Sequence, residues 1–91
     1  DLEMLLRAAR DGIVETLILP RGVQLWGRVE TSGRVDLLDN PNADSEDLLD
    51  LAARLTFQAS GDVLAVDADE IPGGSRAAAL LRAPVSAIAT P

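Results

Sequence analysis

The sequence predicts an α/β domain whose helices cover a mixed β-sheet. Two segments carry apolar residues at helical spacing, two short apolar runs are typical of buried strands, and one stretch alternates as a hairpin does. With 91 residues the chain has room for one domain and one modest core. We expect a single domain over residues 1–84 and a flexible tail over 85–91, where small residues leave little to pack.

Residues 2–10 are predicted to form the first helix. Arg7 and Arg10 lie in its last turn, where positive charge complements the helix dipole, and Gly12 suits the position just after the helix end. The apolar stripe of this helix consists of Leu2, Leu5, Leu6 and Ala9.

The run 13–19 is β-branched and lies between Gly12 and Pro20, which predicts a strand buried on both faces. Glu15 is the exception within it. We expect Glu15 to pair with Arg28 or Arg34 across the sheet.

Residues 23–38 alternate between apolar and polar side chains and contain a Thr-Ser-Gly turn, which predicts a hairpin with one solvent-facing side. Trp26 falls on the polar face. A loop follows over residues 39–42.

A second helix is predicted to begin after Asp44 or Ser45, either of which can cap it, and to end at Gly61. Glu46 and Asp47 would then carry favourable negative charge in its first turn.

Two further segments follow this helix. Residues 62–67 are short and apolar, which favours a central strand. Residues 76–82 have helix propensity, and local pattern alone slightly favours a helix there.

The composition excludes several kinds of site. The chain has no cysteine and no histidine, so disulfides, thiolate nucleophiles, zinc sites and imidazole bases are ruled out. The net charge is −7, and residues 36–70 carry ten acids against Arg54 alone. Because such a field repels phosphate backbones, we expect no direct nucleic-acid binding by this domain.

The sequence shows no run of the ~20 apolar residues that a membrane span needs, and no secretory leader opens it. We therefore expect a soluble cytoplasmic protein without membrane contact. The chain begins at Asp1 rather than Met, which indicates either a processed product or a domain excised from something longer.

Three acids, Asp67, Asp69 and Glu70, follow the second apolar run. Asp-x-Asp after a buried strand is typical of one magnesium-dependent phosphatase family, but such enzymes also need a lysine, and this chain has none. A calcium loop is excluded because the glycine and the distal glutamate are missing at the required spacing. A solvent-exposed loop is the favoured interpretation.

The glycine pair in residues 71–75, Ile-Pro-Gly-Gly-Ser, invites comparison with a phosphate-binding loop. It lacks the lysine and the strand–loop–helix spacing of such loops, so a turn is favoured.

Two kinds of residue are candidates for contact with a partner. Trp26 is an aromatic side chain of the type enriched at interface centres, although it is equally suited to pack under a helix or a neighbouring domain. The acids form a negative surface that suits a basic patch on a protein partner. The candidate contact residues are Trp26, Glu46, Asp47, Asp50, Asp69 and Glu70.

Two segments carry a resemblance to a known family. Residues 8–18, Ala-Ala-Arg-Asp-Gly-Ile-Val-Glu-Thr-Leu-Ile, are similar to the helix, glycine and strand that open the C-terminal domain of Pelota and the archaeo-eukaryotic release factors. Residues 73–85, Gly-Gly-Ser-Arg-Ala-Ala-Ala-Leu-Leu-Arg-Ala-Pro-Val, resemble the strand that closes it. The composition, rich in arginine and alanine, points to the bacterial, Balon-like actinobacterial branch.

The resemblance implies an α-β-α sandwich around a mixed β-sheet of about five strands, with residues 76–82 as a strand. It also implies a non-catalytic domain without a cofactor that docks a translational GTPase, such as elongation factor Tu. The full-length protein would meet the ribosome in release, rescue or hibernation. The alternatives are a small magnesium-dependent phosphatase-like hydrolase using Asp67 and Asp69, and a dimerisation module.

Overall fold

A computed structural model describes residues 2–71, 73 and 75–82 of the chain. The α/β class is confirmed, because these residues form two helices and six strands. In chain order the elements are α1 (Leu2–Arg10), β1 (Val14–Pro20), β2 (Trp26–Val29), β3 (Val35–Leu37), β4 (Glu46–Asp47), α2 (Leu48–Gln58), β5 (Asp62–Val66), a 3₁₀ turn (Ala68–Glu70) and β6 (Ala78–Leu81). The expected tail over 85–91 lies outside the described residues.

The opening helix and strand agree with the prediction. Leu6 and Ala9 of α1 are buried, and Gly12 adopts a left-handed φ of 76° directly after the helix. A side chain at that φ is strained, so glycine allows the chain to turn straight into β1.

The strands form two three-stranded sheets, so the expected single sheet of about five strands is wrong. The first has the order β5-β1-β6, with β5 parallel and β6 antiparallel to β1. The second has the order β3-β2-β4 and is antiparallel. The hairpin forms as predicted, with shorter strands. It does not join β1, because β2 pairs on its two sides with β3 and with the two-residue strand β4.

Within the described residues both helices pack on the same face of the first sheet, so the expected α-β-α sandwich, with helices on both faces, is not formed. The helices contact one another and share one core with β1. The buried members of this core are Leu6, Ala9, Val14, Leu17, Leu48 and Ala52.

The strand at Asp62–Val66 is confirmed, but its predicted central place is wrong. β5 lies at the edge of its sheet, and Leu64 and Ala65 are exposed. Strand β1 is central instead, because β6 occupies its other side. An apolar run of this length therefore identified a strand without identifying its position.

The closing segment is a strand, against its local helix propensity. Ala78–Leu81 pairs with β1, and the Arg82 N–H donates to the Ile13 carbonyl at 2.9 Å. Ala79 packs against the core. Because β1 offers a whole row of unpaired backbone groups, long-range pairing outweighs a preference of a few tenths of a kcal/mol per residue.

Helix α2 begins later than predicted. The Asp47 carboxylate accepts a hydrogen bond from the Leu49 N–H at 3.1 Å, so Asp47 is the N-cap. The expected caps, Asp44 and Ser45, instead belong to a turn in which the Asn42 side chain accepts from the Asp44 N–H.

The helix ends at Gln58, and Ser60 takes the left-handed conformation with φ of 66°. Gly61 is required for close approach, since a Cβ there would lie 2.5 Å from the Val14 carbonyl oxygen.

No helix among the described residues is both long and apolar enough to cross a membrane.

Gly27 on β2 allows the second sheet to approach α2, which leads to the first prediction. A Cβ at this position would lie 2.7 Å from the Leu48 side chain and 2.7 Å from the Asp36 carbonyl oxygen. We expect Gly27→Ala to lower the free energy of unfolding by about 1–3 kcal/mol through overpacking, as measured by urea denaturation. Gln24→Ala, at an exposed position before the strand, is the control and should change it by less than about 0.5 kcal/mol. Equal effects would contradict this explanation.

Candidate partner-binding surface

The aromatic candidate, Trp26, is partly buried at the start of β2. It pairs in register with Asp47 of β4, and its carbonyl accepts from the Leu38 N–H at 2.9 Å. Trp26 therefore lies between two paired strands, with its carbonyl bonded to the β3 side, while part of the residue remains accessible. Partial burial leaves both of the sequence-based alternatives for Trp26, a partner anchor or a packing residue, open.

Glu46 and Asp50 lie together beside this strand because both bind Arg54. The Arg54 guanidinium donates to Glu46 Oε1 at 3.1 Å and to Asp50 Oδ2 at 3.0 Å. All three side chains are about half exposed or more. Surface pairs of this kind contribute about 0–1 kcal/mol, so their effect is mainly to order the side chains. The cluster keeps a single net negative charge.

Asp47 has a structural role that the sequence analysis missed. Its Oδ1 atom accepts hydrogen bonds from the N–H groups of Leu25 and Leu49, both at 3.1 Å. In addition, the Leu48 N–H donates to the Leu25 carbonyl at 2.8 Å. Asp47 therefore joins the segment before β2 to the first turn of α2. It is a positioning residue for Trp26, and its carboxylate is already engaged.

Asp69 and Glu70 form a second group, in the 3₁₀ turn after β5. Glu70 Oε1 accepts from the Asp67 N–H at 3.1 Å, which holds the turn closed. Arg21 binds this region twice, donating to Asp67 Oδ1 at 3.0 Å and to the Ala65 carbonyl at 2.9 Å. The candidate contact residues thus occupy two places, one at β4 and α2 and the other at this turn.

The same turn is where the phosphatase-like alternative would operate. One carboxylate oxygen from each of Asp67, Asp69 and Glu70 lies within 4.8 Å of the others, and all three residues are exposed. Asp67 is paired with Arg21, whose positive charge opposes a cation at this carboxylate. The glycine pair beyond the turn falls at Gly73 and Gly74, and Gly74 lies outside the described residues.

The outward face of the hairpin carries an ion-pair cluster instead of the predicted partner of Glu15. Arg28 pairs with Glu30 at 3.3 Å, and Arg34 pairs with Asp36 at 3.3 Å. Glu15 is exposed on β1 in the other sheet, so the expected pairing of Glu15 with Arg28 or Arg34 is wrong. Opposite charges alternate along both hairpin strands, and this sequence pattern could have predicted the cluster.

A second interaction not foreseen from the sequence attaches the hairpin to α1. Glu3 Oε2 accepts a hydrogen bond from the Val35 N–H at 2.9 Å. Because Val35 also packs against the core, this contact fixes the position of β3 relative to the first helix.

No protein-family model matches this chain, and the curated proteins contain no match to it.

The Asp47 contacts predict a specific loss of stability. We expect Asp47→Ala to lower the free energy of unfolding by about 1–2 kcal/mol, because two N–H groups lose their acceptor. Asp47→Asn should lower the free energy of unfolding by less, since the amide oxygen still accepts hydrogen bonds from these N–H groups. Asp50→Ala, four residues from Arg54 on an exposed face, is the control and should cost less than about 1 kcal/mol. Thermal and urea unfolding measure this, and equal losses at the two positions would refute the assignment.

The hairpin cluster predicts a pH dependence. A hydrogen bond from the Glu30 carboxyl, followed by the charges of Arg34 and Arg28, lowers the pKa of Asp36 below its ordinary value of 3.8, while desolvation opposes this shift. A carboxylate with a lowered pKa stabilises the fold above its unfolded pKa, and this contribution is lost as the pH falls through the folded value.

We therefore expect Asp36→Asn to be less stable than the wild type at about pH 7 and to approach it at about pH 2, by urea denaturation at both values. Asp39→Asn removes an exposed carboxylate outside the cluster and serves as the control. A difference at Asp36 that does not vary with pH would contradict the charge explanation.

Proposed function

We propose that this chain is a non-catalytic protein-interaction domain of a release, rescue or hibernation factor, and that it docks a translational GTPase similar to elongation factor Tu. The main support is the pairing of β1 with β6. These are the strands of the two segments that resemble the release-factor and Pelota family, and they lie side by side although more than 50 residues separate them. The full-length protein would meet the ribosome through its other parts.

The proposed docking surface combines one aromatic anchor with a small acidic cluster. Trp26 belongs to β2, which is paired with a strand on each side, so little backbone freedom is lost when its side chain enters a pocket. Glu46 and Asp50, already ordered by Arg54, lie at the start of the adjacent helix. A partner with an apolar pocket rimmed by lysine or arginine matches this arrangement.

The second acidic group, Asp69 and Glu70, would add long-range attraction for the same basic partner. Both side chains are exposed, and the turn that carries them is closed by Glu70 itself. Charges of this kind accelerate association more than they strengthen the final complex, and salt weakens their effect. The same negative field disfavours phosphate backbones, which supports a protein partner over a nucleic acid.

Titration of the purified domain with elongation factor Tu, at about 50 and 200 mM salt, tests the proposal. We expect binding that weakens at the higher salt. Trp26→Ala should weaken it by about tenfold or more. Charge reversal at Glu46, Asp50, Asp69 and Glu70 together should lower the association rate and remove most of the salt dependence.

Glu15→Lys is the matched control, since it reverses an exposed acid on β1, outside both candidate groups. It should leave the affinity within about twofold, which corresponds to less than ~0.5 kcal/mol. Circular dichroism confirms that each variant is folded. Absence of binding, or equal binding by the fourfold reversal variant and the wild type, would overturn the proposal.

A further inference from the structure

The outer edge of β5 carries backbone groups that no strand among the described residues pairs. The Arg21 N–H donates to the Val66 carbonyl at 2.7 Å, so Val66 directs its backbone groups toward β1. Backbone groups alternate in direction along a strand of a parallel pair. The N–H and C=O groups of Val63 and Ala65 therefore point away from β1, toward the free edge.

Apolar side chains flank this edge on both faces of the sheet. Leu64 is 51% exposed on the face away from the helices, beside Ile18 of β1 in register. Phe57 of α2 is 76% exposed and shares a surface groove with Val63. Exposed apolar edge strands are a known template for pairing with another chain.

We propose that β5 pairs with β5 of a second copy of this chain, antiparallel about a two-fold axis at Leu64, which joins the two sheets into one of six strands. In this register Val63 lies opposite Ala65 of the second copy, and these residues exchange hydrogen bonds in both directions. The two Leu64 side chains meet across the axis. The apolar row formed by Ala78, Ile18 and Leu64 then continues directly into the second copy.

Charge complementarity favours a second copy in this register. A domain with a formal charge of −7 associates with itself only if its carboxylates avoid one another at the contact. With the axis at Leu64, Asp62 lies opposite Val66 of the second copy, on the side where Arg21 of that copy reaches the strand. An axis at Asp62 would instead place two carboxylates directly opposite each other, which is unfavourable.

Arg21 is compatible with this pairing. Its guanidinium donates to the Ala65 carbonyl at 2.9 Å, but a carbonyl oxygen has two lone pairs and accepts a second hydrogen bond. The Ala65 carbonyl can therefore receive Val63 N–H of the second copy while Arg21 remains in place. The contact is small, so we expect a weak dimer that forms at high concentration.

Sedimentation velocity from about 5 to 300 µM tests the proposal, with a concentration-dependent dimer as the expected result. Leu64→Lys should abolish the dimer by placing two positive charges on the axis. The matched control is Leu80→Lys, because Leu80 is 56% exposed on the same sheet face but belongs to β6. Leu80→Lys should dimerise as the wild type does.

Ala65→Pro provides a second variant that leaves the pairing of β5 with β1 intact. Proline removes only the N–H that points to the free edge, and the Ala65 side chain is exposed. We expect this variant to be folded, by circular dichroism, and monomeric. Amide exchange of Val63 and Ala65 in the wild type should slow as the concentration rises.

Three results would overturn the proposal. The first is a wild-type monomer at about 300 µM. The second is a loss of the dimer in Leu80→Lys equal to that in Leu64→Lys, which would assign the contact to the sheet face. The third is protection of the Val63 and Ala65 amides that does not depend on concentration, which would place another part of the chain on this edge.

Discussion

The structure depends on β1 having both its edges and one whole face occupied at once. Its backbone pairs with β5 on one side and β6 on the other, and Leu17 is fully buried beneath the two helices. A buried strand cannot leave its N–H and C=O groups unpaired, so two other segments must supply partners. Strands β5 and β6 thereby become the edges of the sheet, and the face opposite the helices keeps its exposed leucines.

Asp47 makes the second sheet part of the same domain. One carboxylate oxygen accepts from Leu25 and Leu49, so the hairpin and α2 share an anchor. Glu3 adds a similar contact between α1 and Val35. Both acids bind backbone N–H groups, and hydrogen bonds to a charged group are stronger than those between neutral groups. The position of Trp26 thus depends on Asp47, which is distant in the sequence but lies next to Trp26 in the sheet.

The acids of this domain differ in how much of their charge is available to a partner. Asp47 caps a helix, Glu46 and Asp50 share Arg54, and Asp67 is bound by Arg21. Fewer carboxylates are therefore unengaged around Trp26 than the number of acids there suggests. A partner would be selected by the fit of the aromatic side chain, and the remaining charges would act chiefly on the rate of approach.

The sequence by itself determined which segments become α1, β1, the hairpin, α2 and β5, because periodicity and flanking glycine or proline are local signals. The strand at β6 runs against its local propensity, and only the resemblance of residues 73–85 indicated it in the sequence. Tertiary structure alone decided that β5 lies at an edge, that β2 pairs with β4, and that Asp47 rather than Asp44 or Ser45 caps α2. It also decided which candidate contact acids are already engaged and that Arg28 and Arg34 pair within the hairpin. Each of these outcomes depends on which distant backbone or charge becomes a neighbour, and a pattern of adjacent residues carries no information about that choice.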